Sequence, residues 1–413
     1  MSNPLTNANN WMGDKNETLK GFSFRSGSTS KNTETVIWSD IFLDSNKEDG
    51  NRAIVLMDTQ GFFEKGDQIF SVNSRAFNFG SLVSSVLIFN LDNNIKLNEM
   101  KYLERTTEFT KGTLECHQTP FIKPFQNLNF LLRNWSNIDQ FPFGLNEDNE
   151  FVMKSLDNTL DSSCMTNIKS SFENINSFLL PFPGTVIRLK KSTGCWSEMD
   201  DEYKKQLKSS IEYIFAPERL VIKKVNGIEM TGSQLMDKIK THFNAIEAKV
   251  FADKLTKVYK QELAKTFREA SPKNVITFDS SHLTAKTITS ALANKMNPHL
   301  VWHLNEAFDK AFIELKSNKT MFNELDVPID GNPLKHPYGE ALNVFCFNGK
   351  NREIKINETT ISTFMKYSAI KDRKVVVVSM TGLYRHGKST FMDYCLRYMY
   401  ANVRTSLIKL NNL

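Results

Sequence analysis

No apolar run in the chain approaches the roughly 18 residues that span a bilayer; the most apolar stretches, Ser81–Leu91 and Lys374–Met380, are of strand length. Met1–Asn10 is polar and lacks the pattern of a secretory signal. Cysteine is sparse and odd in number: Cys116, Cys164, Cys195, Cys346 and Cys395 make five, with no C-x-x-C or Cys/His spacing. That excludes a disulfide framework and a zinc site, and fits reduced thiols in the cytoplasm. Lys and Arg number 52 against 46 Asp and Glu, but the excess is scattered and no basic block interleaves with aromatics. Nucleic acid is therefore not an expected partner. There is no repeat with a period of about 20 to 50 residues, which excludes a solenoid.

What the sequence does have is a phosphate loop in its last forty residues. Lys374–Met380 is a valine run that reads as a buried parallel strand. The loop Gly382-Leu-Tyr-Arg-His-Gly-Lys-Ser389 follows, and then a helix with Phe391, Cys395, Leu396 and Met399 on one face. Chance supplies G-x-x-x-x-G-K-S in about one or two per cent of chains this long, before strand and helix are demanded. Backbone N–H groups of such a loop and the positive end of the following helix bind phosphate. Gly382 and Gly387 permit the loop's shape, Lys388 reaches the β and γ phosphates, and the Ser389 hydroxyl is a ligand for Mg2+.

The rest of the chain supplies a sheet. Thr35–Leu43 and Arg52–Asp58 read as strands flanking a turn at Lys47–Asn51, a hairpin signal. The later residues of Ser81–Asn90 read as strand, Leu97–Thr110 as helix, Pro124–Trp135 as a strand ending on Arg133-Asn134, and Ser155–Asn176 as helix. A short strand and turn, Ser177–Gly184, follow. Nearly all-apolar strands alternating with helices imply an α/β fold whose mostly parallel sheet is covered on both faces. Ligands bind such sheets at the carboxyl ends of the strands, where Asp58, Arg133 and the loop after Met380 all fall. Asp58 suits the acidic position near the metal, and Gly61 can lend its N–H to the γ phosphate. D-x-x-G alone is weak, since chance gives about one per chain; its strand context raises it.

From about Thr231 the apolar spacing turns helical, with Leu235, Ile239, Phe243, Ile246 and Val250 on one stripe and further helices up to Leu325. The Pro- and Gly-rich Val327–Gly339 is a connector, Ala341–Phe347 and Arg352–Ile356 flank the hairpin signal Asn348-Gly349, and Glu358–Ile370 reads as helix. Three parts are expected: residues 1–227 with the switch and base-recognition region, 228–327 as an all-α bundle, and 328–413 with linker, first strands and phosphate loop.

These motifs together resemble the atlastin family of dynamin-like GTPases, relatives of the guanylate-binding proteins. The matching residues are the phosphate loop with Phe391–Tyr400, Gly21-Phe-Ser-Phe-Arg25, Ile37–Phe42, Leu56-Met-Asp-Thr-Gln-Gly61, Phe125–Ser136 and Leu179–Gly184. The resemblance implies a P-loop GTPase domain with a helical middle domain, GTP as substrate, Mg2+ as cofactor, and a homodimer formed through the GTPase domain. It implies tethering and fusion of endoplasmic reticulum membranes from their cytosolic face. Arg385 matches the arginine finger that acts in cis; a guanidinium there stabilises charge on the transferring phosphoryl group. Nucleotide contacts are implied along Gly382, Arg385, His386 and Gly387, then through Lys388, Ser389 and Thr390. Arg133 and Asn134 fall at the base.

Four departures from the family follow. The strand and loop that open its fold come last here, so the chain reads as circularly permuted; a fragment of a tandem gene, or two joined halves that do not fold together, would read alike. The threonine that binds Mg2+ and aids catalysis is Asn32 by counting back from Trp38, with Thr33 one residue later and within reach of a small loop shift. The family's Arg-Asp pair is Arg133-Asn134. An amide has one accepting atom where a carboxylate has two, so guanine preference should fall, and an unpaired donor costs about 1 to 3 kcal/mol. No membrane hairpin or amphipathic tail follows the helical stretch, so fusion by this chain alone is not expected. Two readings stand: a GTPase using Lys388, Ser389, Arg385, Asp58 and Thr33, or a nucleotide-binding dimerisation module with little turnover.

Overall fold

The computed structural model describes residues 11–13, 17, 19, 21–22, 35–44, 52–62, 77, 79–113, 122–146, 151–152, 154, 162–188, 195–241, 259–261, 286–287, 339–348, 353–367, 370–383, 387–402 and 407–408. The chain divides into a unit of Met1–Ile239 with Asp326–Leu413 and a second unit, Lys240–Leu325. Nearly all of the stretch expected as a helical bundle lies outside the described residues. In its unit the described residues 259–261 and 286–287 are helical. Among the described residues no helix is long and apolar enough to cross a membrane.

The first unit is built on one sheet. Its strands are β1 (Thr35–Trp38), β2 (Ile41–Asp44), β3 (Arg52–Phe62), β4 (Val86–Asp92), β5 (Phe125–Arg133), β6 (Gly144–Asn146) and β7 (Phe172–Leu179). The hairpin β8 (Lys224–Val225) and β9 (Ile228–Glu229) stands apart, and β10 (Ala341–Asn348), β11 (Glu353–Ile356), β12 (Val375–Leu383) and β13 (Leu407–Ile408) complete the set. The order across the main sheet is β11-β10-β1-β3-β12-β4-β5-β7-β6, with β2 and β13 extending from β3. The central run β3, β12, β4, β5, β7 is parallel, and antiparallel pairs flank it. The sheet is thus mixed, with a parallel centre. Strand β12, from the far end of the sequence, lies between β3 and β4: Val375 to Met380 run in register with Ala53 to Asp58, and Val378 to Gly382 with Val86 to Asn90.

Residue type explains this placement. Val375–Val378 are all fully buried, and a β-branched run apolar on both faces suits only a strand covered above and below. Alternation along β4 sends Val86 and Ile88 into one core and Leu87, Phe89 and Leu91 into the other. The first core lies under α3 (Asp201–Ile214) and α5 (Lys388–Asn402); the second lies under α1 (Leu97–Thr113) and α2 (Ser162–Ser171). A further helix, α4 (Glu358–Met365), is capped by Asn357, whose side chain accepts from the Thr360 N–H at 3.1 Å.

Four expectations change. The strand expected over Arg52–Asp58 runs on to Phe62, so residues 59–61 belong to β3 and Asp58 does not end it. The helix expected over Ser155–Asn176 stops at Ser171, and Phe172 begins β7. Asn174 and Asn176 look like helix-tolerant polar residues. In the sheet they lie opposite Asn127 and Asn129 of β5, and their amides donate to those carbonyl oxygens at 3.0 and 3.3 Å. Such cross-strand pairs are a tertiary preference with no local signal. The helix expected to reach Ile370 ends at Met365. The strand expected over Thr35–Leu43 is two strands, β1 and β2, broken at Ser39-Asp40.

The amino-terminal residues are tied to α5. Arg397 donates to the Met12 carbonyl at 2.6 Å and to the Glu17 carbonyl at 3.3 Å, and its guanidinium lies 3.7 Å from the Glu17 carboxylate. Trp11 is buried edge-on to Tyr398 and donates to Glu212 of α3 at 2.9 Å. The beginning of the chain is thereby bonded to the helix that follows the phosphate loop. Arg397→Met keeps the stem and deletes the donors, so it should lower the unfolding free energy by about 2 to 3 kcal/mol in urea titration. Trp11 fluorescence should report early release of the segment.

Candidate functional site

Parallel strands leave their carboxyl ends free to carry a ligand site, and here β3, β12, β4 and β5 end side by side. Gly382, next to last in strand β12, has a φ of +136, and a Cβ there would run into the backbone of Asn90 on β4. Only glycine permits that approach. Gly387, at φ +67, immediately precedes α5, and its carbonyl accepts the Phe391 N–H at 3.1 Å. Lys388, Ser389 and Thr390 form the first turn of α5, and the N–H groups and dipole of a helix's first turn favour an anion.

The acidic partner comes from β3. Asp58 is buried, and its Oδ2 accepts a hydrogen bond from Ser389 Oγ at 2.6 Å, joining residues 331 apart in sequence. Its other oxygen, Oδ1, is buried with no hydrogen-bond partner. Thr59, next along β3, donates to the Met380 carbonyl at 2.9 Å, holding the end of β3 against β12. Gly61 lies in register with Gly382. The structure thus brings together Asp58 and Ser389, the two described residues expected at the metal, although one is near the start of the chain and the other near its end.

Charge is held here at a cost. Burial pushes the Asp58 carboxyl up from 3.8 to about 6, against the pull of Lys388 and the Ser389 hydrogen bond. Burial likewise pushes the Lys388 ammonium down from 10.5 to about 8, which Asp58 opposes and Arg133 adds to. Asp393, one turn further along α5, is also raised well above its usual range, by burial and then by Asp58. In linkage terms, Asp58 stabilises the fold below its ordinary value, and this is lost as pH rises through 6. Lys388 stabilises it above its ordinary value, and this is lost as pH falls through 8. Between the two both charges are carried at a cost that a bound metal and phosphate would offset. A carboxylate oxygen without a partner beside a hydroxyl oxygen is the hard donor set that Mg2+ takes when phosphates and waters complete its shell. The residues fit that ion.

The residues expected at the base are placed as follows. Arg133 ends β5, and its guanidinium packs against Gly387 and donates to the Tyr203 hydroxyl of α3. Asn134 follows with φ +57, a left-handed conformation that asparagine tolerates, and its amide nitrogen donates to Asp92 Oδ1 at 2.6 Å. Neither Tyr203 nor Asp92 was expected from the sequence. Tyr203, Leu207, Ile211 and Ile214 fall at helical spacing and are buried, so the period of α3 was there to be found. Asp92 gave no sequence signal. Thr33, Arg385 and His386 lie outside the described residues, as does Asn32.

The family model for the guanylate-binding protein N-terminal domain matches residues 8–224 and 351–408. The first stretch contains Asp58, Arg133 and Asn134 and the second the phosphate loop, so both are needed to build the site. Atlastin-1 of Mus musculus is 37% identical over 239 residues, 56% of this chain and 42% of that protein. Atlastin-2 of Xenopus laevis is 34% identical over 242 residues, 57% of this chain and 42% of that protein. Atlastin-3 of Homo sapiens is 34% identical over 239 residues, 56% and 43% respectively. The chain spans less than half the length of these relatives.

Two outcomes follow from the site. Affinity for a Mg2+-nucleoside triphosphate should rise as pH climbs through about 6 and fall above about 8. Asp58→Asn should abolish the acidic limb beyond what the ligand's own titration explains, as read by calorimetry at fixed free Mg2+. Gly382→Ala, with a positive φ and a backbone collision, should cost about 3 kcal/mol of stability in denaturant titration.

Proposed function

The chain belongs to the guanylate-binding protein N-terminal domain family, the dynamin-like GTPases that include the atlastins, and on that premise we propose that it binds and hydrolyses GTP with Mg2+. The observation that carries this reading is the Ser389–Asp58 hydrogen bond at 2.6 Å, beside buried Lys388, at the start of a helix that follows a glycine-rich loop.

The roles follow from chemistry. The N–H groups of Gly387 to Thr390 hold the phosphates, and Lys388 places its positive charge between β and γ. Ser389 and Asp58, with Thr33, would hold Mg2+, which would supply positive charge to the phosphate oxygens. The Gly61 N–H orients the γ phosphate. Water attacks the γ phosphorus in line, the bond to the β–γ bridging oxygen breaks, and GDP and phosphate leave; Arg385 stabilises the charge that develops on that bridge. Arg133 and Asn134 hold the base. The reading further supposes a homodimer across the nucleotide faces, with Arg385 in place only when two domains meet. Tethering and fusion of endoplasmic reticulum membranes is, for this chain, a proposal drawn from the resemblance alone.

A second reading, a nucleotide-dependent dimerisation module with little turnover, is favoured by the amide at Asn134 and by Asn32 in the metal-threonine position. One assay separates the two. Purified chain with Mg2+ should release phosphate from GTP, and Lys388→Ala should lose nucleotide binding at least a hundred-fold. Arg385→Ala should retain binding while turnover drops by roughly a thousand-fold. Tight GTP binding with no phosphate release at any protein concentration would favour the second reading, and folded chain that binds no nucleotide would defeat both.

A further inference from the structure

We propose that Asp92 is the positioning residue that sets base selectivity, by fixing the Asn134 amide with its carbonyl oxygen presented to the base. The inference rests on the reading of Arg133-Asn134 as the base-side element. It goes beyond that reading by assigning a role to a residue on a different strand.

Asp92 ends β4 and Arg133 ends β5, and the two lie in register as neighbours in adjacent parallel strands. The loops after them are bonded together: the Asn93 N–H donates to the Arg133 carbonyl and the Asn94 N–H to the Asp92 carbonyl, each at 2.6 Å. On the other side, the Trp135 N–H donates to the Leu180 carbonyl at 2.9 Å. Asn134 is held in a left-handed conformation between these ties, and its Nδ2 reaches Asp92 Oδ1 at 2.6 Å. The frame around the pair is fixed by main-chain bonds.

The two ends of an asparagine amide look alike in shape and differ in hydrogen bonding. An ionised carboxylate only accepts, so Asp92 admits one orientation of Asn134. Turning the amide over would set two accepting oxygens against each other. With Nδ2 committed to Asp92, Oδ1 points away and remains an acceptor at a half-buried position. A guanine edge offers two donors there, the ring N1–H and the exocyclic amine. Xanthine replaces the amine with a carbonyl, which needs a donor, and adenine offers a ring acceptor. An unrestrained asparagine would serve guanine in one orientation and xanthine in the other. Asp92 removes the second option. The amide substitution then weakens guanine binding yet keeps guanine ahead of xanthine.

The test measures binding of GTP, XTP and ATP with Mg2+ to the full chain and three variants, each checked for a cooperative thermal transition. The unaltered chain should prefer GTP to XTP by about tenfold, the worth of one hydrogen bond made instead of an acceptor clash. Asp92→Ala should bring GTP and XTP to within about threefold, with ATP still weak; a purely structural loss would weaken all three alike. Asn134→Asp alone should lose GTP affinity, because it sets two carboxylates together, and Asn134→Asp with Asp92→Ala should regain it. An unchanged GTP-to-XTP ratio in folded Asp92→Ala would overturn the proposal, and so would a gain in GTP affinity from Asn134→Asp alone, which needs no Ala variant to fold. Failure of the unaltered chain to bind any of the three would overturn the nucleotide-site reading, and this proposal with it.

Discussion

A parallel strand hydrogen-bonded on both edges has to find two partners, and the partners of Val375–Leu383 are encoded more than two hundred and eighty residues earlier. The site depends on that insertion. It places Gly382 opposite Gly61, brings the start of α5 to the end of β3, and sets Ser389 against Asp58. Four fully buried valines drive it, worth on the order of 6 kcal/mol in apolar transfer. The main-chain ladders to β3 and β4 supply direction and register. The Arg397 bonds to Met12 and Glu17 close the other end of the same helix onto the beginning of the chain. Order along the sequence and order across the sheet are thus decoupled, as contact-driven folding allows when the strand ends lie at exposed loops.

The second constraint is electrostatic. A buried carboxylate, a buried ammonium and a second buried carboxylate share the start of α5, and burial moves each toward its neutral form. Asp58 and Lys388 partly support each other, though less than burial opposes them. Such an arrangement is costly in the ligand-free fold and suited to a ligand that brings a divalent cation and several negative oxygens together. Stability and binding are then coupled: what the fold forgoes at Asp58 and Lys388 would be recovered on binding a metal and phosphates.

Much of this was legible in the residues. The valine run, the glycine spacing and the Lys-Ser pair announced a strand, loop and helix because each requirement is local. Asp58 on an apolar strand was legible for the same reason, although β3 runs on to Phe62 and Asp58 lies within it rather than at its end. The Asn174 and Asn176 strand was not, since its amides make sense only opposite Asn127 and Asn129, a cross-strand fact. The α3 helix carries its period openly in Tyr203, Leu207, Ile211 and Ile214, whereas the bond from Arg133 to Tyr203 has no local signal. Asp92 was invisible in another way: its partner is 42 residues away and follows a different strand, so only three-dimensional proximity reveals the pair.

The central claim is that β12 enters the sheet of its own chain, beside β3 and β4. Ser84 and Ser379, 295 residues apart, bring their buried hydroxyls into contact where β12 crosses the start of β4. Replacing both, Ser84→Cys with Ser379→Cys, and oxidising the dilute protein tests the claim directly. The account predicts a disulfide within one chain, seen as a monomer on a non-reducing gel and as a single linked pair of tryptic peptides containing residues 84 and 379. Linkage only between chains, or none in folded protein, would contradict it.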